Sequence, residues 1–239
     1  MKFSIKHLTS LTAEVPELIS DDYSTTHELD LKALPKLDWV PPMQRRRLSK
    51  FMKMALYCAH HSSKDSNLPM PMVFSSRHGD FHKTTKLLGA VSMDADLSPT
   101  DFSMSVHNAA SGIFSILTEN HESMNTVVAG KGTLFMAMID AYARLTSGVH
   151  HAVLVVHCDQ VLPEPYLTYA DENQIDHALA FVMTLEGDEM ISFSREKNYI
   201  EPQNHLPYAL QFITWMKSNQ KSMICEQSNG IWTGQRTNV

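Results

Sequence analysis

One stretch, residues 124–159, fixes most of what this chain can fold into, because it reads as strand, tight turn, helix and strand in immediate succession. The first strand runs Met124-Asn125-Thr126-Val127-Val128, and the turn is Ala129-Gly130-Lys131-Gly132-Thr133. The helix covers about residues 134–147, with Gly148 positioned to stop it. Residues 149–157 then carry the unbroken apolar run Ala152-Val153-Leu154-Val155-Val156, as expected of a strand buried on both faces. Two strands joined through a helix make a βαβ unit, so the pattern predicts an α/β protein with a parallel sheet. Glycines on both sides of Lys131 turn the strand sharply into the helix and project the middle side chain, a geometry in which enzymes often present a nucleophile. Here that side chain is a lysine.

The remaining elements follow from periodicity. Residues 2–12 alternate Phe3, Ile5 and His7 against Lys2, Ser4 and Lys6, a half-buried strand. Residues 21–40 form a polar connection. A helix is expected from Met43, with Leu48, Phe51, Met52, Leu56 and Ala59 on one face. Its triplet Arg45-Arg46-Arg47 reads as a solvated first turn, the usual fate of a short charge run, or as a dock for an acidic partner. Residues 70–75 give a short strand and 81–91 a helix. Ser98-Pro99 starts a further helix that runs through Phe102, Val106, Ala109, Ala110, Gly112 and Ile113 to Leu117, its small residues marking a close helix contact. An acidic loop over residues 163–176 precedes two strands, 177–185 and 189–195, expected to pair antiparallel about Gly187-Asp188. Residues 206–217 form an amphipathic helix, and the tail from about 227 to 239 is expected to be poorly ordered except at Trp232.

The chain's 239 residues, 43% apolar and 19% charged, are enough for one sizeable core or two small ones, and a single domain over 1–239 is expected. A net charge of -6 argues against nucleic acid, which selects a strongly basic face. Cys58, Cys158 and Cys225 are odd in number and far apart, indicating neither a disulfide framework nor a zinc module and fitting a reducing cytoplasm. No run approaches the ~20 apolar residues of a membrane span. Among thirteen histidines, the pairs His60-His61 and His150-His151 are densest, but adjacent residues do not share a face, so neither predicts a metal site. Lys131 fails the phosphate-loop pattern, because Asn125 stands at its first glycine and Gly132 follows the lysine where serine or threonine is needed. Spacing alone reveals no catalytic set and no cofactor.

A resemblance adds to this. Residues 122–133, followed by a helix, Gly148 and the buried strand through His157, resemble the nucleophile region of β-ketoacyl synthases. Ser98-Pro99 and then Val106-His107-Asn108-Ala109-Ala110-Ser111-Gly112 resemble their interface segment, and residues 47–59 and 177–186 resemble the first helix and the closing strand of the family's first half. The chain is thereby identified as similar to the ketoacyl-synthase-like N-terminal family of aryl polyene pigment assembly, and among its members to the small chain-length-factor-like subunits. The implied fold is a truncated, thiolase-like α/β half with α-β-α layers.

The departures from the family pattern bear on function. The match puts Lys131 where a ketosynthase has its cysteine, and an ammonium cannot form an acyl-thioester intermediate. The family's two catalytic histidines come from its second half, and only His205 follows His177 here. Such a chain is not expected to be an enzyme alone. The resemblance implies a non-catalytic subunit that dimerises with an active ketosynthase and shapes its acyl tunnel, with acyl carrier protein as a further candidate partner. Its tunnel and interface residues would be Thr100, Asp101, Phe102, Ser105, Val106, Ala109, Ala110, Gly112, Ile113, Phe114, Met124, Thr126 and Val128. The alternative is a stand-alone acyl-transfer or hydrolytic enzyme whose nucleophile the sequence does not identify, with Cys158 a candidate.

Overall fold

The alternating N-terminal stretch forms strand β1 (Lys2–Thr12), followed by a single turn α1 (Pro42–Arg45) and helix α2 (Lys50–Ser63). Strand β2 (Met72–Ser75) leads into α3 (Phe81–Ser92), α4 (Pro99–Ser103) and α5 (Ala109–Thr118). The central unit is β3 (Met124–Val127), a 3-10 turn over Gly130–Gly132, α6 (Thr133–Thr146) and β4 (Val153–Asp159). After a second 3-10 segment, Glu164–Tyr169, come β5 (His177–Thr184), β6 (Glu189–Glu196), α7 (Tyr208–Lys217), β7 (Ser222–Gln227) and β8 (Gly230–Asn238). The structure is a computed structural model that describes residues 1–13, 28, 30–66, 69–197, 205–227 and 230–238.

All eight strands join one sheet in the order β3-β2-β4-β5-β1-β6-β8-β7. Strand β2 is parallel to both neighbours, with Phe74 opposite Thr126 and Val156, so the β3-α6-β4 crossover expected from sequence passes over β2. From β4 onward every pairing is antiparallel. Helices cover both faces. On one, Phe51 of α2 meets Phe74 edge-on at 6.2 Å, and its carbonyl accepts a hydrogen bond from the Cys158 thiol. On the other, Phe135 of α6 stacks on Tyr208 of α7 and packs against Phe193 and Trp232. Burying each such ring contributes about 1.5–3 kcal/mol.

Four sequence expectations need correction. The helix expected from Met43 is split: α1 ends, and α2 starts afresh where Ser49 Oγ accepts from the Met52 amide. The helix expected to run from Ser98 to Leu117 is also two. Hydroxyls of Ser103 and Ser105 donate to the carbonyls of Pro99 and Phe102, diverting backbone acceptors just where α4 ends. Strands β5 and β6 do not pair, because β1 lies between them and bonds to both. Gly187 permits that passage: a Cβ there would lie 2.2 Å from Ser4 Oγ of β1. Finally, where a poorly ordered tail was expected around Trp232, β8 fills the slot between β6 and β7, and Trp232, the expected exception, is buried against Phe193. Of the polar connection over residues 21–40, positions 21–27 and 29 lie outside the described residues, as do 228, 229 and 239 of the tail. The Arg45 guanidinium is held by Asp38 and the Leu37 carbonyl, while Arg46 and Arg47 are exposed.

Candidate functional site

The carboxyl ends of β2 and β4 and the start of β5 converge beneath the turn that carries Lys131, the place where open α/β sheets usually bind ligands. Strand alternation puts His157 and Asp159 on one face of β4, and the register brings His177 of β5 opposite Asp159. The Asp159 carboxylate gathers the end of β2. Its Oδ1 accepts the Ser76 hydroxyl and the Arg77 amide, both at 2.8 Å, and the His78 amide at 3.3 Å. Its Oδ2 lies 3.1 Å from His157 Nε2. Burial alone would push this carboxyl up, but the hydrogen bond with His157 and the charges of His157, His177 and His78 hold it well below the usual range. Burial, with the charge of His157 added, pushes the His177 imidazole down to about 4, so it is neutral at neutral pH.

Above this buried centre lies a network of charges. Arg77 donates bidentately to Asp171 at 2.9 and 3.0 Å and also to Glu172 at 2.9 Å. Gly130 takes a positive φ of 58°, which turns the chain so that Lys131 reaches over. Its Nζ donates to the Asp171 carbonyl at 2.5 Å and sits 3.5 Å from that residue's carboxylate. Burial raises the Glu172 carboxyl despite Arg77 beside it. Burial also raises the Asp171 carboxyl, but the hydrogen bond and charge of Arg77 outweigh it and hold Asp171 low.

Ser75 Oγ lies 3.0 Å from His157 Nδ1, so serine, histidine and Asp159 stand in hydrogen-bonded series as in an acyl-transfer relay. Ser75 is wholly buried, however, and its hydroxyl donates to the Val156 carbonyl, leaving no path to an external substrate. The thiols offer no better nucleophile. Cys58, Cys158 and Cys225 are all buried, and burial raises all three, Cys225 to about 12. The structure thus gives no support to Cys158 as a reactive group.

The residues singled out by sequence separate into two places. Lys131 joins the network just described. Met124 and Thr126 sit on β3, at the sheet edge, and Val128 is exposed just beyond it. Beside them runs a groove of about 450 Å³ bounded by α5. Asn125 Oδ1 and Thr126 Oγ1, on opposite faces of β3, are buried without a hydrogen-bond partner. Gly112 faces this groove and Ile113 is partly buried. Ala109, Ala110 and Phe114 point the other way, into the chain's own core. Thr100, Asp101 and Phe102 lie exposed on α4, with Ser105 and Val106 in the turn beyond. Neither α3 nor α4 has a buried residue, and Phe102 is 60% exposed. Sequence reasoning missed Arg77, His157, Asp159, Asp171, Glu172 and His177. Only the spacing of His157 and Asp159, two apart on a strand, was readable.

The family model described as Beta-ketoacyl synthase, N-terminal domain matches residues 22–235. The chain belongs to this family. No curated protein sequence matches it. Among solved structures, the ketosynthase ApeO in complex with its chain length factor ApeC from Xenorhabdus doucetiae superposes with a TM-score of 0.81 at 22% identity, covering 99% of this chain and 100% of that one. AntDE:AntF, a type II polyketide synthase acyl-carrier protein in complex with its ketosynthase, gives 0.66 at 10% identity over 100% and 99%. The ishigamide ketosynthase/chain length factor gives 0.58 at 12% identity, over 71% of this chain but only 54% of that one. At these identities the likeness is one of fold, and this ketoacyl-synthase domain has the thiolase-like α/β architecture. Among the described residues, no helix is long and apolar enough to cross a membrane.

Proposed function

We propose that this ketoacyl-synthase domain is a non-catalytic, chain-length-factor-like subunit that dimerises with an active β-ketoacyl synthase in the cytoplasm and shapes its acyl tunnel in aryl polyene assembly, a type II polyketide or fatty-acid-like process. The observation that carries this reading is Lys131 itself: the turn that presents a thiol in a ketosynthase presents an ammonium here, tied to Asp171. Acyl carrier protein is the further candidate partner.

The edge strand β3 supports a partner surface. Its outer side carries no strand among the described residues, so its backbone is open to pairing with a docking chain. Exposed Phe102, Val106, Ile116 and Val128 add apolar area suited to burial.

Because Lys131 and Asp171 are both partly exposed, Lys131→Ala is expected to lower the free energy of urea unfolding by no more than about 1 kcal/mol. Condensation by the assembled complex should stay within about tenfold, roughly 1.4 kcal/mol in barrier. A larger loss of rate with assembly intact would give Lys131 a chemical role.

Phe102 is the bulky member of the Thr100, Asp101 and Phe102 set proposed to end the partner's tunnel, and its exposure means that it is not core of this chain. Each methylene excluded from a tunnel is worth about 0.8 kcal/mol. Phe102→Ala should therefore leave the complex assembled and lengthen the product by one or more extension units, read by mass spectrometry of the released acyl chain. Unchanged product length in an intact complex would move the tunnel end elsewhere.

A further inference from the structure

We propose that His157, Asp159 and His177 form a binding site for one divalent transition-metal ion, held by two imidazole nitrogens and one carboxylate oxygen. One donor atom from each of the three lies within 4.8 Å of the others, and all three residues are buried. The site is carried by β4 and β5 and does not depend on how the chain pairs with a partner.

The hydrogen bonds settle which nitrogens face the centre. The Ile175 carbonyl can only accept, so at 2.6 Å it fixes the proton of His177 on Nδ1. The Nε2 lone pair of His177 is then left buried, with no partner, in a residue 2% exposed. With the Ser75 hydroxyl donating to the Val156 carbonyl, its oxygen is left to accept from Nδ1 of His157. His157 therefore also presents Nε2, 3.1 Å from Asp159 Oδ2. Two lone-pair atoms at that distance repel unless a positive charge lies between them. It is either a proton or a metal ion.

Several features favour the metal. Two donors on one tetrahedral zinc, each about 2.0–2.2 Å from it, lie roughly 3.4 Å apart, close to the separation seen. Each imidazole is anchored through its outer nitrogen to a carbonyl or hydroxyl, the arrangement that orients histidine ligands. Asp159 Oδ1 takes Ser76 and two backbone amides, while Oδ2, which shares the Arg77 amide at 3.1 Å, faces the centre. A cavity of about 10 Å³, bounded also by Lys131, Glu172 and Tyr208, has about the space that one water needs as a fourth ligand. The cations nearby do not compete, since Arg77 is spent on Asp171 and Glu172 and Lys131 on Asp171. The ion would pin the end of β4 to the start of β5, under the Lys131 turn.

The test is equilibrium dialysis of the chelator-treated full chain against Co(II), then Zn(II). One Co(II) per chain with visible absorption of a four- or five-coordinate ion, displaced by one Zn(II), is the expected result. His177→Gln, checked for an unchanged circular dichroism spectrum, should weaken binding about tenfold or more, while His150→Ala with His151→Ala should not. Should His177→Gln fail to fold, zinc-edge absorption of the native chain decides, with two imidazoles and oxygen donors at about 2.0–2.2 Å expected. No stoichiometric binding by the native chain, retained binding in folded His177→Gln, or an all-oxygen or sulfur-ligated zinc environment would overturn the site.

Discussion

Gly112→Arg is expected to leave this ketoacyl-synthase domain folded and to separate it from its ketosynthase, whereas Ala110→Arg, two residues away, is expected to unfold it. Both sit on α5 but on opposite faces. Ala110 is 2% exposed and part of the apolar core, so an arginine there brings excess volume and a buried unpaired charge. Such a change costs several kcal/mol, against a total stability of about 5–15 kcal/mol for a typical domain. A Cβ added at Gly112 meets nothing within 4 Å, and replacing a helical glycine recovers up to about 1 kcal/mol of propensity. Its guanidinium would fill the groove beside β3 that the proposed partner occupies. Thermal unfolding of each variant and co-purification with the ketosynthase read the two effects separately. If folded Gly112→Arg still co-purifies, the β3 groove is not the interface.

Asp159→Ala is expected to cost about 3–5 kcal/mol in urea unfolding, with an unchanged slope. Among the described residues the carboxylate accepts the Arg77 and His78 amides and the Ser76 hydroxyl and faces His157, so its removal strands four groups at once. Buried donors left without partners cost about 1–3 kcal/mol each before relaxation and water entry reduce the sum. Asp159→Asn keeps the shape and one acceptor oxygen and should lose less. A loss under about 1 kcal/mol for Asp159→Ala would mean that this centre does not hold the ends of β2 and β4 together.

The parts of the fold that sequence made legible are those where a local pattern has one structural solution. Alternation gave β1 with the same bounds, and the glycines flanking Lys131 with Gly148 framed the turn and α6. Pairing was less legible, because nothing in β5 or β6 says that a strand from the opposite end of the chain will slip between them. The Gly187 contact with Ser4 is visible only in three dimensions. Small residues in α5 marked close packing but not its direction, so Ala109 and Ala110, read as an interface, turn out to pack inward. The buried centre was hidden for the same reason. Arg77, His157 and His177 lie on three separate segments, and the β2-β4 and β4-β5 registers are what assemble them.

Intact-protein mass spectrometry of the assembled complex, after exposure to acyl-charged carrier protein, tests the central claim most directly. The account predicts an acyl adduct on the ketosynthase and none on this chain, since Lys131 is tied to Asp171 and Ser75 and all three cysteines are buried. A stoichiometric acyl adduct on this chain, at Lys131, Ser75 or any cysteine, would contradict it.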